Sequence, residues 1–238
     1  MMTNKNSFVA LILARAGSKR IPGKNRGKIG GKSLIERAYT AIKESKSCGR
    51  IVLSSDDVAL IQAAKDYPGI EILGRPDALA EDTASSEDAI RHAIISLHLE
   101  NETIVLIQLT SPFRTASDID LTAQPVMRGL VDSAVSVTKW RVPVSPPFGD
   151  SEDETALGKR GDKNNKWLEW QVLNNRSWAL NGAVYVFRAR KILDVGKIYD
   201  ENSAIHIMDT WRSIDLDYPE DMKLAQILSC VEETPQDC

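Results

Sequence analysis

The feature that most constrains the fold is an apolar run, FVALILA over Phe8–Ala14, that passes directly into a glycine-rich basic segment. The run is too short for a typical helix and has no polar face, so it predicts a fully buried strand. From Arg15 to Lys32 the chain has five of its 14 glycines and seven basic residues, and no acidic residue precedes Glu36. Glycine lets backbone N–H groups approach a ligand, and the cations supply countercharge. A polyphosphate site is therefore predicted where the first strand ends.

Two familiar phosphate-binding motifs do not match this segment. The dinucleotide fingerprint G-x-G-x-x-G is absent. The Walker pattern G-x-x-x-x-G-K-[ST] is only approached, because Gly17 to Gly23 spans one residue too many and Lys24 is followed by Asn25. A P-loop kinase stays as one alternative interpretation, and a solvated basic loop without a ligand is another.

The distribution of charge favours a small anionic ligand. The net charge is only −3, yet residues 1–35 contain eight of the 30 basic residues and none of the 33 acidic ones. Positive charge confined to one segment does not suit a nucleic acid, which binds along an extended surface. The short polar amino end predicts neither a signal peptide nor a membrane span. The three cysteines show no metal-ligand spacing, which is typical of a reduced, cytoplasmic protein.

Beyond the basic segment, strand and helix patterns alternate. A chain of 238 residues with this alternation predicts one large domain, in which a parallel sheet is layered by helices. The predicted strands are Phe8–Ala14, Arg50–Ser55, Gly69–Leu73, Thr103–Arg114, Ser133–Thr138, Trp178–Phe187, Ile205–Met208 and Arg212–Asp217.

Helix starts are predicted from residues that favour helix caps. Asp56 and Asp57 either cap the second helix, which is the preferred interpretation, or face a ligand. The expected starts are Ser33, Val58 for a helix to Tyr67, Asp82 or Thr83, Ser117 with Asp120 for a helix interrupted at Pro125, and Pro219 for the last helix.

The strand from Thr103 has the longest apolar continuity and is predicted to be central. In an open parallel sheet the ends of central strands border the ligand crevice. Gln108, at the polar end of this strand, is therefore a candidate substrate contact. Ser85 and Ser86 lie in the first turn of the preceding helix, where they either cap the helix or contact a base or ribose.

Residues from about 139 to 176 interrupt the pattern with a polar, proline-containing excursion that includes Trp167 and Trp170. An excursion of this length inside a compact domain is typical of a lid or an arm. The tryptophans indicate either docking on a second subunit or a local hydrophobic anchor. We therefore expect a single domain over residues 1–238 with an inserted arm.

The segment SIDLD near the carboxyl end alternates aliphatic and acidic residues. On a strand this alternation would place Asp215 and Asp217 on one face, roughly 6 to 7 Å apart. Two such carboxylates repel each other unless a cation lies between them, and Mg²⁺ suits carboxylate and phosphate oxygens. The alternative is that Asp217 caps the last helix and Asp215 is solvated.

Six motifs in a fixed order carry a resemblance to a known family: LILARAGSKRIPGKN, SSD, GRPDALAEDTASS, IQLTSPFR, LNGAVY and SIDLD. Together they resemble the acylneuraminate cytidylyltransferases, the CMP-sialic acid synthetases and their relatives for other nine-carbon acid sugars. The resemblance implies a Rossmann-like three-layer α/β fold, a mostly parallel mixed sheet and a dimerisation arm. It also implies transfer of CMP from CTP to the anomeric hydroxyl of the sugar, with release of pyrophosphate, by a homodimer or tetramer.

The same resemblance implies roles for individual residues. The residues implied to bind CTP are Arg15, Ser18, Lys19, Lys24, Asn25, Arg75, Ala84 and Ser86. Those implied to act in catalysis are Arg15, Lys19, Lys24, Asp215 and Asp217, and the two aspartates would hold Mg²⁺. Gln108 and Tyr185 would contact the sugar, whose carboxylate has five candidate partners: Lys139, Arg141, Lys159, Arg160 and Arg176.

Asn25 bears on which branch of the family the chain resembles. The related Kdo cytidylyltransferases usually have proline at that position, so the resemblance favours the nonulosonate branch. Kdo cytidylyl transfer and a catalytically silent nucleotide-binding subunit stay as alternatives. No residue stands out in the sequence as a general base.

Overall fold

The computed structural model describes residues 7–18, 20–81, 84–139 and 178–232. Its strands are β1 Phe8–Ala14, β2 Lys28–Ile29, β3 Lys32–Ser33, β4 Cys48–Ser55, β5 Ile70–Gly74, β6 Thr103–Gln108, β7 Ser133–Lys139, β8 Trp178–Arg188 and β9 Ala204–Met208. Its α-helices are α1 Leu34–Glu44, α2 Val58–Ala64, α3 Asp77–Ala80, α4 Ser86–Ser96, α5 Ala116–Met127, α6 Ala189–Val195 and α7 Pro219–Glu232. Two 3₁₀ turns span Lys24–Arg26 and Thr210–Ser213.

The main sheet has seven strands in the order β5-β4-β1-β6-β8-β7-β9. Only β8 is antiparallel to its neighbours, and every other pairing is parallel. The sheet is therefore mixed and mostly parallel, as expected. The predicted central strand, β6, is the fourth of the seven. Chain order reverses between β1 and β6, and such a reversal opens a crevice beyond the carboxyl ends of the two strands.

The side chains of β1 alternate between two hydrophobic cores, one on each face of the sheet. Ala10 and Ile12 pack in a core with α1, α2, α5 and α7, whereas Val9 and Leu11 pack in a core with α4 and α6. All four side chains are at most 5% exposed. Burial on both faces explains why this strand reads as a continuous apolar run, and the three-layer prediction is confirmed.

Most predicted helix starts agree with the structure. Ser33 caps α1 through a reciprocal pair of hydrogen bonds with Glu36. Asp57 accepts hydrogen bonds from the backbone N–H groups of Ala59 and Leu60 and caps α2, which agrees with the preferred interpretation. Pro219 opens α7, as predicted.

Two helix predictions were wrong. The helix expected to start at Asp82 or Thr83 starts at Ser86, because the Ser85 hydroxyl accepts from the backbone N–H of Asp88. The next helix starts before Ser117, since Thr115 caps it in a reciprocal pair with Asp118.

Pro125 lies inside α5 and does not interrupt it, contrary to the prediction. A proline in a helix removes the hydrogen bond to the carbonyl four residues earlier, here that of Leu121. Leu121 is 49% exposed, so this turn of the helix lies at the protein surface. Asp120, also expected at this helix start, instead accepts from the Ser45 hydroxyl at 2.6 Å.

The strand predicted over Arg212–Asp217 was also wrong, because the structure has a 3₁₀ turn there followed by irregular chain. Two contacts with distant residues explain the difference. Arg212 forms an ion pair with the buried Asp118, and the N–H of Leu216 donates to the carbonyl of Thr110 at 2.8 Å. The alternation of aliphatic and acidic residues in SIDLD still predicted one burial correctly, since Leu216 is fully buried.

No helix in the described ranges is long and apolar enough to cross a membrane. Most of the predicted arm, including Trp167 and Trp170, lies outside the described residues, and the domain prediction stays a prediction.

Candidate active site

A cavity of about 560 Å³ opens at the point where strand order reverses. The carboxyl ends of β1 and β6 form its floor, the basic loop forms one wall, and Asp217 stands opposite. The lining residues are Leu13, Arg15, Ser18, Arg20, Lys24, Asn25, Arg75, Leu79, Ala84, Ser85, Ser86, Leu106, Gln108, Leu109, Thr110 and Asp217.

The basic wall is held in shape mainly through its backbone. The side-chain amide of Asn25 donates to the carbonyl of Arg15 at 2.9 Å, which ties the two ends of the loop together. The N–H of Ala16 donates to the carboxylate of Asp56 at 3.0 Å. Gly23 has a φ of +67°, a left-handed conformation that leads into the 3₁₀ turn beginning at Lys24. Arg15, Arg20 and Lys24 of this loop line the cavity.

The acidic wall meets the basic wall at Asp217. The ammonium of Lys24 lies 3.1 Å from Oδ1 of Asp217, and the guanidinium of Arg20 lies 3.3 Å from Oδ2. Lys24 and Asp217 are 193 positions apart in the chain. The fold thus joins the two oppositely charged segments across one crevice.

Asp215 lies below this contact, against Gly182 of β8. A Cβ placed on Gly182 would stand 3.2 Å from Oδ2 of Asp215 and 3.7 Å from Oε1 of Gln108. The buried Oδ1 of Asp215 has no hydrogen-bond partner in the part of the chain that the structure describes. Burial raises the pKa of Asp215 and the charge of Asp217 raises it further, while the side chain of Thr110 and the charge of Lys24 oppose the shift.

Three contacts from separate elements fix the segment that carries both aspartates. Arg212 pairs with Asp118 of α5, and the amide of Asn181 in β8 donates to the Ser213 hydroxyl at 2.9 Å. The N–H of Leu216 donates to the carbonyl of Thr110, as described above. Asn181 and Gly182 lie where the register of β8 against β7 shifts, so a bulge brings the strand up to the acidic segment.

A buried cation lies beneath this wall. Arg114 is 6% exposed and donates to the carbonyls of Gln108 and Ser111, the latter at 2.7 Å. Burial lowers the pKa of Arg114 to about 10, and the negative charges of Asp215 and Asp118 oppose the shift. Because this pKa is still far above neutrality, the guanidinium stays charged and partly offsets the two carboxylates.

The third wall combines β5 and the start of α4. Arg75 donates to the carbonyl of Ser54 at 3.3 Å, and its Nε has no hydrogen-bond partner among the described residues. Burial lowers the pKa of Arg75. The positive charge of Arg15 lowers it further, whereas the negative charge of Asp56 opposes the shift. Ala84 and Ser86 stand at the opening of α4, beside Leu79, and offer a small surface with one hydroxyl.

The structure brings most of the predicted site residues together. Nucleotide-site residues that line the cavity are Arg15, Ser18, Lys24, Asn25, Arg75, Ala84 and Ser86, together with Gln108 and Asp217. Lys19 lies outside the described residues, as do Arg141, Lys159, Arg160 and Arg176. Tyr185 is not among the lining residues, since its ring stacks on Tyr199 with centroids 6.0 Å apart. The pKa of Tyr185 is raised to about 12, chiefly by burial and further by the charges of Tyr199 and Asp215.

The sequence matches a known family over more than half of its length. Residues 9–140 fit the family model described as cytidylyltransferase. The chain belongs to the cytidylyltransferase family.

Relatives of this cytidylyltransferase act on acid sugars according to their names. The CMP-N,N'-diacetyllegionaminic acid synthase of Legionella pneumophila is 30% identical over 229 residues, which cover 93% of this chain and 95% of the relative. The N-acylneuraminate cytidylyltransferase of Escherichia coli is 29% identical over 226 residues, which cover 93% of this chain and 52% of the relative. A pseudaminic acid cytidylyltransferase of Campylobacter jejuni is 26% identical over 223 residues, which cover 92% and 95%.

Solved structures agree with the cytidylyltransferase fold. CMP:2-keto-3-deoxy-manno-octonic acid synthetase complexed with CTP superposes with a TM-score of 0.67 at 16% identity, covering 95% of this chain and 99% of that one. A 4-diphosphocytidyl-2C-methyl-D-erythritol synthase gives 0.63 at 15% identity, covering 95% and 99%. At these identities the likeness concerns the fold alone.

The acidic pair of this cytidylyltransferase fits a divalent cation in its donor chemistry. Asp215 has a buried oxygen without a partner among the described residues, and Asp217 lines the cavity with its two oxygens paired to Lys24 and Arg20. Within the described ranges, no group of three or more His, Cys, Asp or Glu side chains could hold a metal. Mg²⁺ is commonly held by one or two carboxylates, with waters and substrate phosphates as its other ligands.

Sequence reasoning missed several residues of this cytidylyltransferase site. Arg20 and Leu79 line the cavity but were not assigned a role, and Thr110 links the floor to the acidic segment. Arg20 belongs to the basic run, which was a usable signal. Nothing local marks Asp118 or Arg114 as supports for Asp215, because those contacts join distant parts of the chain.

Proposed function

We infer that the protein transfers CMP from CTP to the anomeric hydroxyl of a nine-carbon acid sugar and releases pyrophosphate. The observation that carries this inference is the contact between Lys24 and Asp217 at 3.1 Å across the cavity. It joins the basic loop to the acidic segment at one cavity, in a chain of the cytidylyltransferase family, and so supports a site for CTP with its metal. The named relatives support an acid sugar as the acceptor.

The basic wall would hold the triphosphate and the ribose. Lys24 and Arg15 line the cavity, and Ser18 with Asn25 adds hydrogen-bonding groups to the same wall. We assign Lys19 to this wall on the sequence resemblance alone. Cations fixed at this position would offset the charge that develops on the departing pyrophosphate, which is a large term in phosphoryl-type transfers.

The third wall would hold the cytidine. Arg75 has a buried Nε without a described partner, so a carbonyl oxygen of the base or a ribose hydroxyl would satisfy it. Ala84 and Ser86 would border the base. This wall combines the guanidinium of Arg75 and the hydroxyls of Ser85 and Ser86 with the apolar side chain of Leu79.

Asp215 and Asp217 would hold Mg²⁺, which supplies positive charge next to the phosphates when bound. Gln108 and Tyr185 would contact the sugar and orient its hydroxyl toward the α-phosphorus. Orientation of this kind contributes much of the acceleration in a transfer between two bound substrates. The homodimer, the inserted arm and the cytoplasmic location stay predictions.

Pyrophosphate release tests the proposal directly. The protein is mixed with CTP, Mg²⁺ and, in separate reactions, N-acetylneuraminate, N,N'-diacetyllegionaminate, pseudaminate and Kdo. Release with one of the nine-carbon sugars is the expected result. Release with Kdo alone would favour the octulosonate alternative, and no release with any sugar, despite CTP binding, would favour a silent nucleotide-binding subunit. Replacing CTP by ATP and measuring a phosphorylated sugar checks the kinase alternative.

A further inference from the structure

Asp217 is engaged on both of its oxygens by residues of the basic wall. Oδ1 contacts Lys24, whose side chain is 15% exposed, and Oδ2 contacts Arg20, whose side chain is 59% exposed. The Arg20 guanidinium also lies over the ring of Tyr218, 5.1 Å from its centroid. All three charged groups line the cavity.

In the proposed reaction each of these groups is also needed by a ligand. Lys24 and Arg20 face the space assigned to the phosphates, and Asp217 is assigned to Mg²⁺. A carboxylate that forms ion pairs with two cations attracts a metal ion only weakly, because the two positive charges offset its own. Cations that already hold a carboxylate must also release it before they can hold phosphate oxygens.

We propose that Asp217 occupies the phosphate positions on Arg20 and Lys24 in the ligand-free protein, and that Mg²⁺ and CTP therefore bind with positive coupling. This inference rests on the proposed function. CTP without metal has to displace Asp217 and then faces two unneutralised carboxylates. Metal without CTP meets a carboxylate that is already paired. When both arrive, Asp217 passes to the metal, and Arg20 and Lys24 pass to the phosphates.

Exposure indicates that Arg20 exchanges first. Exposed ion pairs contribute little free energy and re-form with new partners easily, whereas the more buried Lys24 contact is stronger. Arg20 is thus assigned a positioning role of its own: it binds Asp217 in the empty site and a phosphate oxygen in the filled one. A merely structural bridge between the two walls would have no such second state.

Calorimetric titration of CTP measures the coupling. The titration is made in EDTA and again in MgCl₂ on the wild type, Asp217→Asn, Arg20→Gln and the double variant. We expect Mg²⁺ to tighten CTP binding by about tenfold or more in the wild type, within the usual range for coupled ligands. Asp217→Asn should tighten CTP binding in EDTA by about fivefold and weaken it in MgCl₂, so that the coupling falls below about threefold.

The double variant separates exchange of partners from simple loss of negative charge. If Asp217 holds Arg20, then Arg20→Gln in EDTA should weaken CTP binding by less than about twofold alone and by about fivefold in the Asp217→Asn background. Equal losses in both backgrounds would overturn the proposal. So would an Asp217→Asn protein that binds CTP in EDTA no better than the wild type.

Asp132→Asn is the matched control, because Asp132 is an exposed carboxylate paired with Arg188 at 3.4 Å and does not line the cavity. It removes the same charge and should leave both affinities unchanged. Thermal unfolding of each variant checks that the fold is intact. A wild type that binds no CTP even with MgCl₂ would reject the proposed function and this inference with it. A wild type that binds CTP, with none of the variant effects, would reject the inference alone.

Discussion

The two charged walls of the cavity are held in place by different means. The acidic wall is tied down by buried side chains, chiefly the pair between Arg212 and Asp118, whose side chains are 17% and 3% exposed. The basic wall is held by hydrogen bonds from its backbone to the side chains of Asn25 and Asp56, and its Arg20 side chain is 59% exposed. The difference teaches that the chain segment carrying the two aspartates is fixed in advance, whereas an exposed cation such as Arg20 can change partners when a ligand arrives.

Two carboxylates at the acidic wall, the buried Asp118 that supports it and the half-buried Asp215, extend the same contrast. Although burial alone would raise the pKa of Asp118, hydrogen bonds from His206 and Thr115 and the charge of Arg212 lower it. For Asp215, burial raises the pKa and the nearby contacts do not reverse the shift. A carboxylate with a full set of partners is structural, and one with an unpartnered oxygen beside a cavity is available to a ligand.

The largest effect is expected from Asp118→Asn, which breaks the support of the acidic wall. Removing the buried partner leaves Arg212 with only the exposed Asp209, so the free energy of unfolding should fall by about 3–5 kcal/mol. Urea unfolding at neutral pH measures it. Asp209→Asn is the control, because Asp209 also pairs with Arg212, at 3.3 Å, but its side chain is 68% exposed. Equal losses for the two variants would contradict the contrast.

The pH dependence of Asp118 has a definite sign. A carboxyl whose pKa is lowered by folding stabilises the protein above its ordinary value of 3.8 and loses that contribution as the pH falls below it. The stability gap between wild type and Asp118→Asn should therefore close as the pH falls through and below 3.8.

Asp215→Asn should instead reduce turnover while stabilising the fold. Loss of a charged oxygen from the site should lower kcat by about 10²–10³-fold, as for other groups that stabilise transition-state charge. Because folding raises the pKa of Asp215 above 3.8, ionisation of this carboxyl opposes folding. The wild type should therefore lose stability as the pH rises from 3.8 through the raised pKa. The variant has no carboxyl at this position and should not show that loss. Steady-state pyrophosphate release measures the turnover, and thermal unfolding between about pH 4 and pH 8 measures the stability. A variant with normal turnover would remove Asp215 from the reaction.

The fold was largely predictable because its signals are local. β1 has the predicted bounds, Phe8–Ala14, since a strand buried on both faces reads as an unbroken apolar run. Ser33 and Asp57 were recognisable caps for the same reason. The helix start at Ser86 was missed because Asp82, Thr83 and Ser85 are all able to cap, and the sequence does not rank them.

The site was predictable only where both partners carried a signal of their own. Lys24 stands in a basic run and Asp217 in an acidic pair, so their meeting could be inferred. The contact between Asp118 and Arg212 joins residues 94 positions apart that look ordinary in the sequence. That unseen contact is also the reason that the predicted strand at Arg212–Asp217 is a 3₁₀ turn.

Gly182→Ala should have an intermediate effect on the acidic wall. Gly182 has a φ of +73°, and an added Cβ would stand 3.2 Å from Oδ2 of Asp215. The left-handed backbone and the close contact should together cost about 1–3 kcal/mol of folding free energy and displace Asp215. Urea unfolding and turnover measure the two consequences. Gly31→Ala is the control, because Gly31 also has a positive φ but has open space at its Cβ position. A purely conformational effect would make the two variants alike in turnover.

The smallest effect on stability is expected from Arg20→Gln in the basic wall. An ion pair this exposed is screened by water and salt, so the free energy of unfolding should change by less than about 0.5 kcal/mol. Urea unfolding in low and high salt measures it. A loss approaching that of Asp118→Asn would show that the basic wall is as firmly anchored as the acidic one.

The sequence distance between the walls also determines when the cavity can form during synthesis. A nascent chain on the ribosome exposes the basic loop long before Asp217 is translated, 193 positions after Lys24. Gln226 in α7 then fastens the small hairpin behind the loop, through hydrogen bonds to the carbonyl of Lys28 at 2.6 Å and the N–H of Gly30 at 3.1 Å. A half-made chain therefore has the basic loop but lacks Asp217, the carboxylate that pairs with Lys24 and Arg20, and the nucleotide site is among the last parts of the fold to be completed.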